Sequence, residues 1–399
     1  MMNPERELQV IALCQALIRH KSYSGKEDGV ANCMKQAFTA LGFDEILIDE
    51  YGSVLGLIKG IRTGPAILFD GHIDTVPVPD ESAWKHDPFG GELADGKIYG
   101  RGTSDMKGAV AAMMSSAAFF AADTRRDFAG EVWVSGVVHE ECFEGLAAHK
   151  ITERIQPNFV VIGEASELNL KRGQRGRAEI LVETFGKPAH SANPLAGINA
   201  VYKMAALIAR IAGITAPTHP ILGAGILELT DIKSSPYPGA SVVPDYCRAT
   251  YDRRLLVGET AGSVLAPIQA VIDSMEGADG EFKATARIAF GAEPCYTGAE
   301  IRGERFFPGW VFDEQDAFVQ AALSGLRSAG LSPSITQYSF CTNGSHYAGE
   351  AGIPTIGFGP SRENLAHTID ESVEVDQLFK AVGGYYGILA SVLEAGAAK

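Results

Sequence analysis

Three apolar runs in the first half of the chain stop abruptly at acids or histidine: AILFDGHID at 66–74, VWVSGVVHEE at 132–141 and FVVIGEA at 159–165. Each begins as a strand buried on both faces and ends in a polar cluster. Between them, GAVAAMMSSAAFFAA at 108–122 is apolar at nearly every position, the pattern of an enclosed helix. Strand and helix in alternation predict an α/β sheet covered on both faces. Ligands of such sheets bind beyond the carboxyl ends of the strands. His72, Glu140, Glu141 and Glu164 all fall there.

The texture changes near Arg177. An alternating strand at 178–185, a helix at 198–211, alternating strands at 226–233 and 242–255, a helix at 261–275 and a strand at 282–289 predict a compact α+β unit of roughly 110 residues. A strand-then-helix pattern resumes at 313–330, so this unit reads as an insertion. The expected division is a first domain of 1–176 and 293–399, interrupted by a second of 177–292. At the start of the chain, Leu8, Ile11, Ala12, Leu17 and Ile18 lie among charges, as in an amphipathic helix rather than a secretory signal.

Bulk properties narrow the function. A chain of 399 residues exceeds a single ordinary core, in keeping with two domains. A formal charge of −15 and the lack of basic stretches interleaved with aromatics argue against nucleic acid as a partner. No apolar run approaches the ~20 residues of a membrane span. Cys14, Cys33, Cys142, Cys247, Cys295 and Cys341 are scattered, suggesting neither a disulfide framework nor a thiolate zinc site. A cytoplasmic location with reduced thiols is expected.

The chemistry concentrates in a few segments. In GHIDTVP (71–77), His72 can bind a metal through one ring nitrogen while Asp74 orients the ring from behind, although an isolated H-x-D is weak evidence. In GRGTSDMKG (100–108), a glycine-rich loop delivers Asp105 just before a helix. A capped turn or a phosphate cradle would use the same glycines, but the acid at the loop's centre favours a cation. HEECFEG (139–145) sets Glu140 beside Glu141, and two buried neighbouring acids repel unless a cation or proton intervenes. One can ligate metal while the other serves as general base; a solvated acidic turn is the plain alternative. Glu164 in IGEAS and His367 in NLAHTIDES are weaker singly. Together these positions make a nitrogen and oxygen donor set without thiolate. Such a set suits two zinc, cobalt or manganese ions about 3.5 to 4 Å apart, bridged by a carboxylate.

In this order the motifs resemble the co-catalytic metallopeptidase and deacylase family of acetylornithine deacetylase, succinyl-diaminopimelate desuccinylase, aminoacylase and glutamate carboxypeptidase. RGQRGRAEI (172–180), DRRL (252–255) and TNG before GIPTIGFGP (342–360) are similar to its branch linked to selenium metabolism. The resemblance implies a three-layer α/β/α catalytic domain carrying a smaller ferredoxin-like α+β lid through which two chains dimerise. It also implies one ion on His72, Asp105 and Glu164 and a second on Asp105, Glu141 and His367, with Asp105 as the bridge and the Asp105–Met106 peptide cis. Glu140 becomes the general base and later acid, and Asp74 the support for His72. His190, in GKPAHSANP (186–194), becomes an oxyanion donor contributed to the other subunit. Arg254 is expected to receive a substrate carboxylate. Many relatives carry Asp where this chain has Asn343, a position expected near substrate, and Asn where it has Ser241. The expected reaction is hydrolysis of an amide in a small N-acyl amino acid or dipeptide-like molecule. A ureido or ring-derived amide hydrolase, or an inactive small-molecule binding protein, are the alternatives.

Overall fold

The computed structural model describes residues 2–397. Their packing separates two compact units: one holds the chain up to Gln174, Ala292–Ile301 and the chain from Trp310 onward, the other Arg175–Gly291 and Arg302–Gly309.

The first unit is built on a nine-stranded mixed sheet. Its order is Glu45–Ile48, Val54–Lys59, Ala129–Val137, Arg62–His72, Phe159–Ile162, Thr355–Gly357, Leu170–Gln174 and Trp310–Val311, with Ile335–Tyr338 also pairing Leu170–Gln174. The middle is parallel: Arg62–His72 pairs in that sense with both Ala129–Val137 and Phe159–Ile162. Helices Gly108–Thr124, Val375–Ala397 and Asp28–Ala40 pack on the sheet. Gly108–Thr124 has its first charged residue at Asp123 and is buried from Gly108 to Ala121, in keeping with a sequence that is apolar there except for Ser115 and Ser116. The expected α/β class is observed.

Register brings the strand ends together. His72 lies opposite Val137, and Asp70 opposite Ile162, so the residues just past Val137 and Ile162 emerge beside His72. Glycine permits the close fit beneath them: a Cβ on Gly71 or on Gly163 would stand 2.8 Å from the Met106 Cε.

In the second unit Ile226–Ser235, Tyr246–Leu255, Gly176–Phe185 and Lys283–Ile288 form an antiparallel sheet. Burial alternates strictly along Tyr246–Leu255. Helices Ala200–Ile211 and Ala261–Ala278 pack on it around a core that includes Ile180, Val182, Met204, Leu207, Ala249, Tyr251 and Ile268. The strand expected from residue 242 starts only at Tyr246, because Pro244 has no N–H and its carbonyl is taken by the amide of Ala200. Phe306–Phe307 adds to Gly176–Phe185, which places 302–309 in this unit rather than in the first domain, where the sequence reading had it. Among the described residues no helix is long and apolar enough to cross a membrane.

Candidate metal centre

Each proposed ligand leaves a strand end or an irregular turn where the backbone stops pairing. His72 is the last residue of its strand, and Glu140 and Glu141 follow Val137 by three and four residues. Glu164 lies two residues past Ile162. Asp105 sits in the turn Thr103–Lys107 with φ −131° and ψ 89°, outside the helical region. The Asp105–Met106 peptide is cis, and His367 has a left-handed φ of 62°.

The structure draws these side chains into one cluster around Asp105. His72 Nε2 stands 2.8 Å from Asp105 Oδ1 and 3.5 Å from Glu164 Oε1. His367 Nε2 stands 3.0 Å from Asp105 Oδ2 and 3.1 Å from Glu141 Oε2. Two groups of potential metal-binding atoms result, His72–Asp105–Glu164 and Asp105–Glu141–His367, and Asp105 belongs to both. Glu140 is buried nearby, and its Oε1 has no hydrogen-bond partner.

Electrostatics make the cluster a cation trap. Burial pushes Glu140 well above the ordinary carboxylate value, and Glu164, Glu144 and Glu141 add to the effect against the opposing His72. Burial, then the charge of Asp105, raises Glu164 strongly and Glu141 less so. Asp105 is lowered despite burial by hydrogen bonds from His367 and His72. Against burial, His72 is raised by its bonds to Asp105 and Asp74, and His367 is raised to about 10 by Asp105 and Glu141. Carboxyls this crowded favour protonation or a divalent ion, and their mixture of imidazole and carboxylate donors fits two borderline cations.

Supporting residues differ in part from expectation. His72 Nδ1 lies 2.9 Å from the main-chain carbonyl of Asp74 and 3.5 Å from its carboxylate, so the backbone is the nearer orienting group. The Asp74 carboxylate also accepts the amides of Glu140 and Glu141 and the hydroxyl of Ser24. Asn343, expected near substrate, is 2% exposed: its Nδ2 donates to Asp70 and its Oδ1 accepts from the Gly145 amide. Both ends of that amide are held by protein.

One pair of residues carries a role that the motif reading did not assign. Glu371 Oε1 accepts the amides of Gly102, Ser104 and Asp105 at 3.0, 2.8 and 3.1 Å. Its other oxygen binds Arg101, whose guanidinium also reaches the carbonyls of Thr368 and His367. The buried pair therefore ties the loop of Asp105 to the loop of His367. Both residues stood inside the quoted motifs, and an arginine in a glycine-rich acidic loop was the available signal.

His190 and Arg254 belong to the second unit. His190 is exposed and its Nδ1 accepts the Ala192 amide at 3.0 Å, which puts the ring proton of the neutral form on Nε2. Arg254 Nε pairs with Asp252 at 2.9 Å, and 29% of its side chain remains exposed.

The peptidase family M20/M25/M40 model matches residues 68–391. The protein YgeY of Escherichia coli K12 is 33% identical over 382 residues, 93% of this chain and 91% of that one. A succinyl-diaminopimelate desuccinylase of Cereibacter sphaeroides is 31% identical over 389 residues, 93% and 95% of the two chains. Among solved structures, aminopeptidase PepT of Bacillus cereus superposes with a TM-score of 0.74 at 21% identity, covering 97% and 98%. The Bacillus subtilis YXEP protein, described as a dinuclear metal-binding peptidase, gives 0.72 at 16% identity, covering 98% and 99%.

Proposed function

Since the chain belongs to peptidase family M20/M25/M40, whose members hydrolyse amide or peptide bonds, we propose that it cleaves the amide of a small N-acyl amino acid or dipeptide-like substrate with two divalent ions. One observation carries this reading: Asp105 offers its two oxygens to two different histidines, at 2.8 and 3.0 Å, while the buried Glu140 keeps its Oε1 without a hydrogen-bond partner. His72, Asp105 and Glu164 would hold one ion, and Asp105, Glu141 and His367 the other. The absence of thiolate and the two imidazoles favour zinc, with cobalt or manganese as substitutes. Bound ions would polarise the scissile carbonyl and lower the pKa of water.

Glu140, raised by burial and acidic neighbours, takes the proton of the attacking water and returns it to the leaving nitrogen. His190, with its proton on Nε2, donates to the developing oxyanion, an interaction worth ~3 to 4 kcal/mol for one well-placed donor. Arg254 receives a carboxylate of the substrate through its planar fork. We place His190 in the site of a second copy of the chain. Support comes from Ile226–Ser235, an edge strand that exposes Ile226 and Ile232 and is suited to pairing across a two-fold axis. The six cysteines, none of them in a disulfide among the described residues, suit a cytoplasmic location.

The decisive variant is Glu140→Ala, expected to keep its metals and lose ~10² to 10⁴ in kcat. Retention of more than about a tenth of wild-type turnover would remove Glu140 from the proton-transfer role. A panel of acetyl, succinyl and carbamoyl amino acids and dipeptides, assayed with zinc, cobalt and manganese, tests the substrate class. Activity on none of them overturns it. Mixing Glu140→Ala chains with His190→Ala chains should restore activity; exchanged but inactive mixtures would assign His190 to its own subunit or to no role.

A further inference from the structure

A second set of metal-binding atoms lies in the first unit and shares no residue with the centre described above. His149 belongs to the helix Ala148–Ile155, and His346 and Glu350 are one turn apart in the wide helical turn Ser345–Glu350. His149 Nε2 and His346 Nδ1 both stand 2.8 Å from Glu350 Oε2. We propose that these three side chains form a third cation site, one that takes a borderline divalent ion such as zinc.

Hydrogen-bond accounting supports this. Thr152 Oγ1 lies 3.0 Å from the carbonyl of His149 and 2.7 Å from His346 Nε2. A carbonyl only accepts; where the hydroxyl proton of Thr152 goes to it, the hydroxyl oxygen accepts from His346 Nε2–H. In that tautomer His346 Nδ1 turns a lone pair towards Glu350, the form in which the ring can hold a metal ion beside the carboxylate; in the other tautomer Nδ1–H donates to it. Metal-binding histidines are commonly held in this way, with the far ring nitrogen fixed by an outer hydrogen bond. The same convergence of two imidazole nitrogens on one carboxylate occurs at Asp105.

The two rings are stacked, with centroids 3.8 Å apart and planes 28° from parallel, so an ion in reach of both nitrogens requires a modest ring rotation. His149 can supply it, being 42% exposed in its side chain, and Glu350 at 39% leaves a path of entry and room for water as a further ligand. Two nitrogen donors select zinc, cobalt, nickel or copper over magnesium and calcium. Occupancy would clasp the helix Ala148–Ile155 to the turn that follows Asn343.

The test is zinc titration of chelator-stripped protein, with bound metal counted after desalting. Wild type should take up three ions per chain, and Glu350→Gln and His149→Ala two each. Asp105→Asn should still bind one, and adding Glu350→Gln to it should remove that one. Thr152→Val should weaken the third site about 10- to 100-fold, as expected for loss of an outer hydrogen bond to a ligand. Circular dichroism establishes that the surface variants are folded. Zinc uptake by Asp105→Asn that is unchanged when Glu350→Gln or His149→Ala is added would overturn the site, as would its absence in Asp105→Asn itself. Because that background lacks the Asp105 centre, the outcome does not depend on the proposed hydrolytic mechanism.

Discussion

Both units gather carboxylates on their sheets, and they balance the charge in opposite ways. In the second unit Asp252 meets Arg177 and Arg254, Glu179 meets Arg305, Glu183 meets Arg287 and Glu259 meets Arg253. In the first, Asp105, Glu141 and Glu164 meet only His72 and His367 among these contacts, Glu140 Oε1 has no partner, and the nearby Arg101 is engaged by Glu371. Paired acids stabilise a fold on their own. Unpaired acids in a buried cluster hold a fold together only when a proton or a metal ion completes them, which is why the imbalance supports the cation-binding role proposed for this cluster.

The comparison breaks most severely at the shared carboxylate. Asp105→Asn should lower activity by at least ~10³, several kcal/mol of transition-state stabilisation, and elemental analysis should find fewer than one ion per chain in that centre. Two ions retained there would mean that the cluster is balanced without Asp105. Removing metal should come next. Chelation should cost stability by ~4 kcal/mol per site when free ion had stood at roughly a thousand times its Kd. Glu140, Glu141 and Glu164 have raised values when folded, so in the stripped protein their contribution is present below the ordinary value of 4.5 and is lost as pH rises. The gap in Tm between loaded and stripped protein should therefore widen from about pH 5.5 to about pH 8. A gap independent of pH would show that the acids are neutralised in some other way.

A smaller effect separates positioning from ligation. Glu371→Ala should weaken metal binding about 10- to 100-fold in a chelator competition, since it frees the loops of Asp105 and His367 from one another. Glu371→Gln, which keeps an acceptor for the three amides, should recover part of that loss. The smallest change belongs to the second unit: Asp252→Asn should alter unfolding free energy in urea by no more than ~1 kcal/mol, because its ion pairs are partly exposed. A larger loss would place Asp252 among the groups the fold depends upon.

The linear pattern of residues was sufficient for the α/β class, for the buried helix Gly108–Thr124 and for the family, because each rests on local periodicity or on short motifs in a fixed order. Short or glycine-broken strands such as Val54–Lys59, Leu170–Gln174 and Thr355–Gly357 escaped the reading, since their place in the sheet comes from partners far along the chain. The candidate site divides along the same line. His72, Glu140 and Glu164 could be placed near one another from the sequence, because parallel strands end at a common edge. Only the tertiary structure decided that Glu371 would brace the Asp105 loop across 266 residues, and that Asn343 would be enclosed between Asp70 and Gly145. It also decided that His346 and His149 would share Glu350. Side-chain identity limits which bonds a residue can make, whereas the choice among partners depends on which backbone groups folding leaves unpaired within 3 Å or so of it.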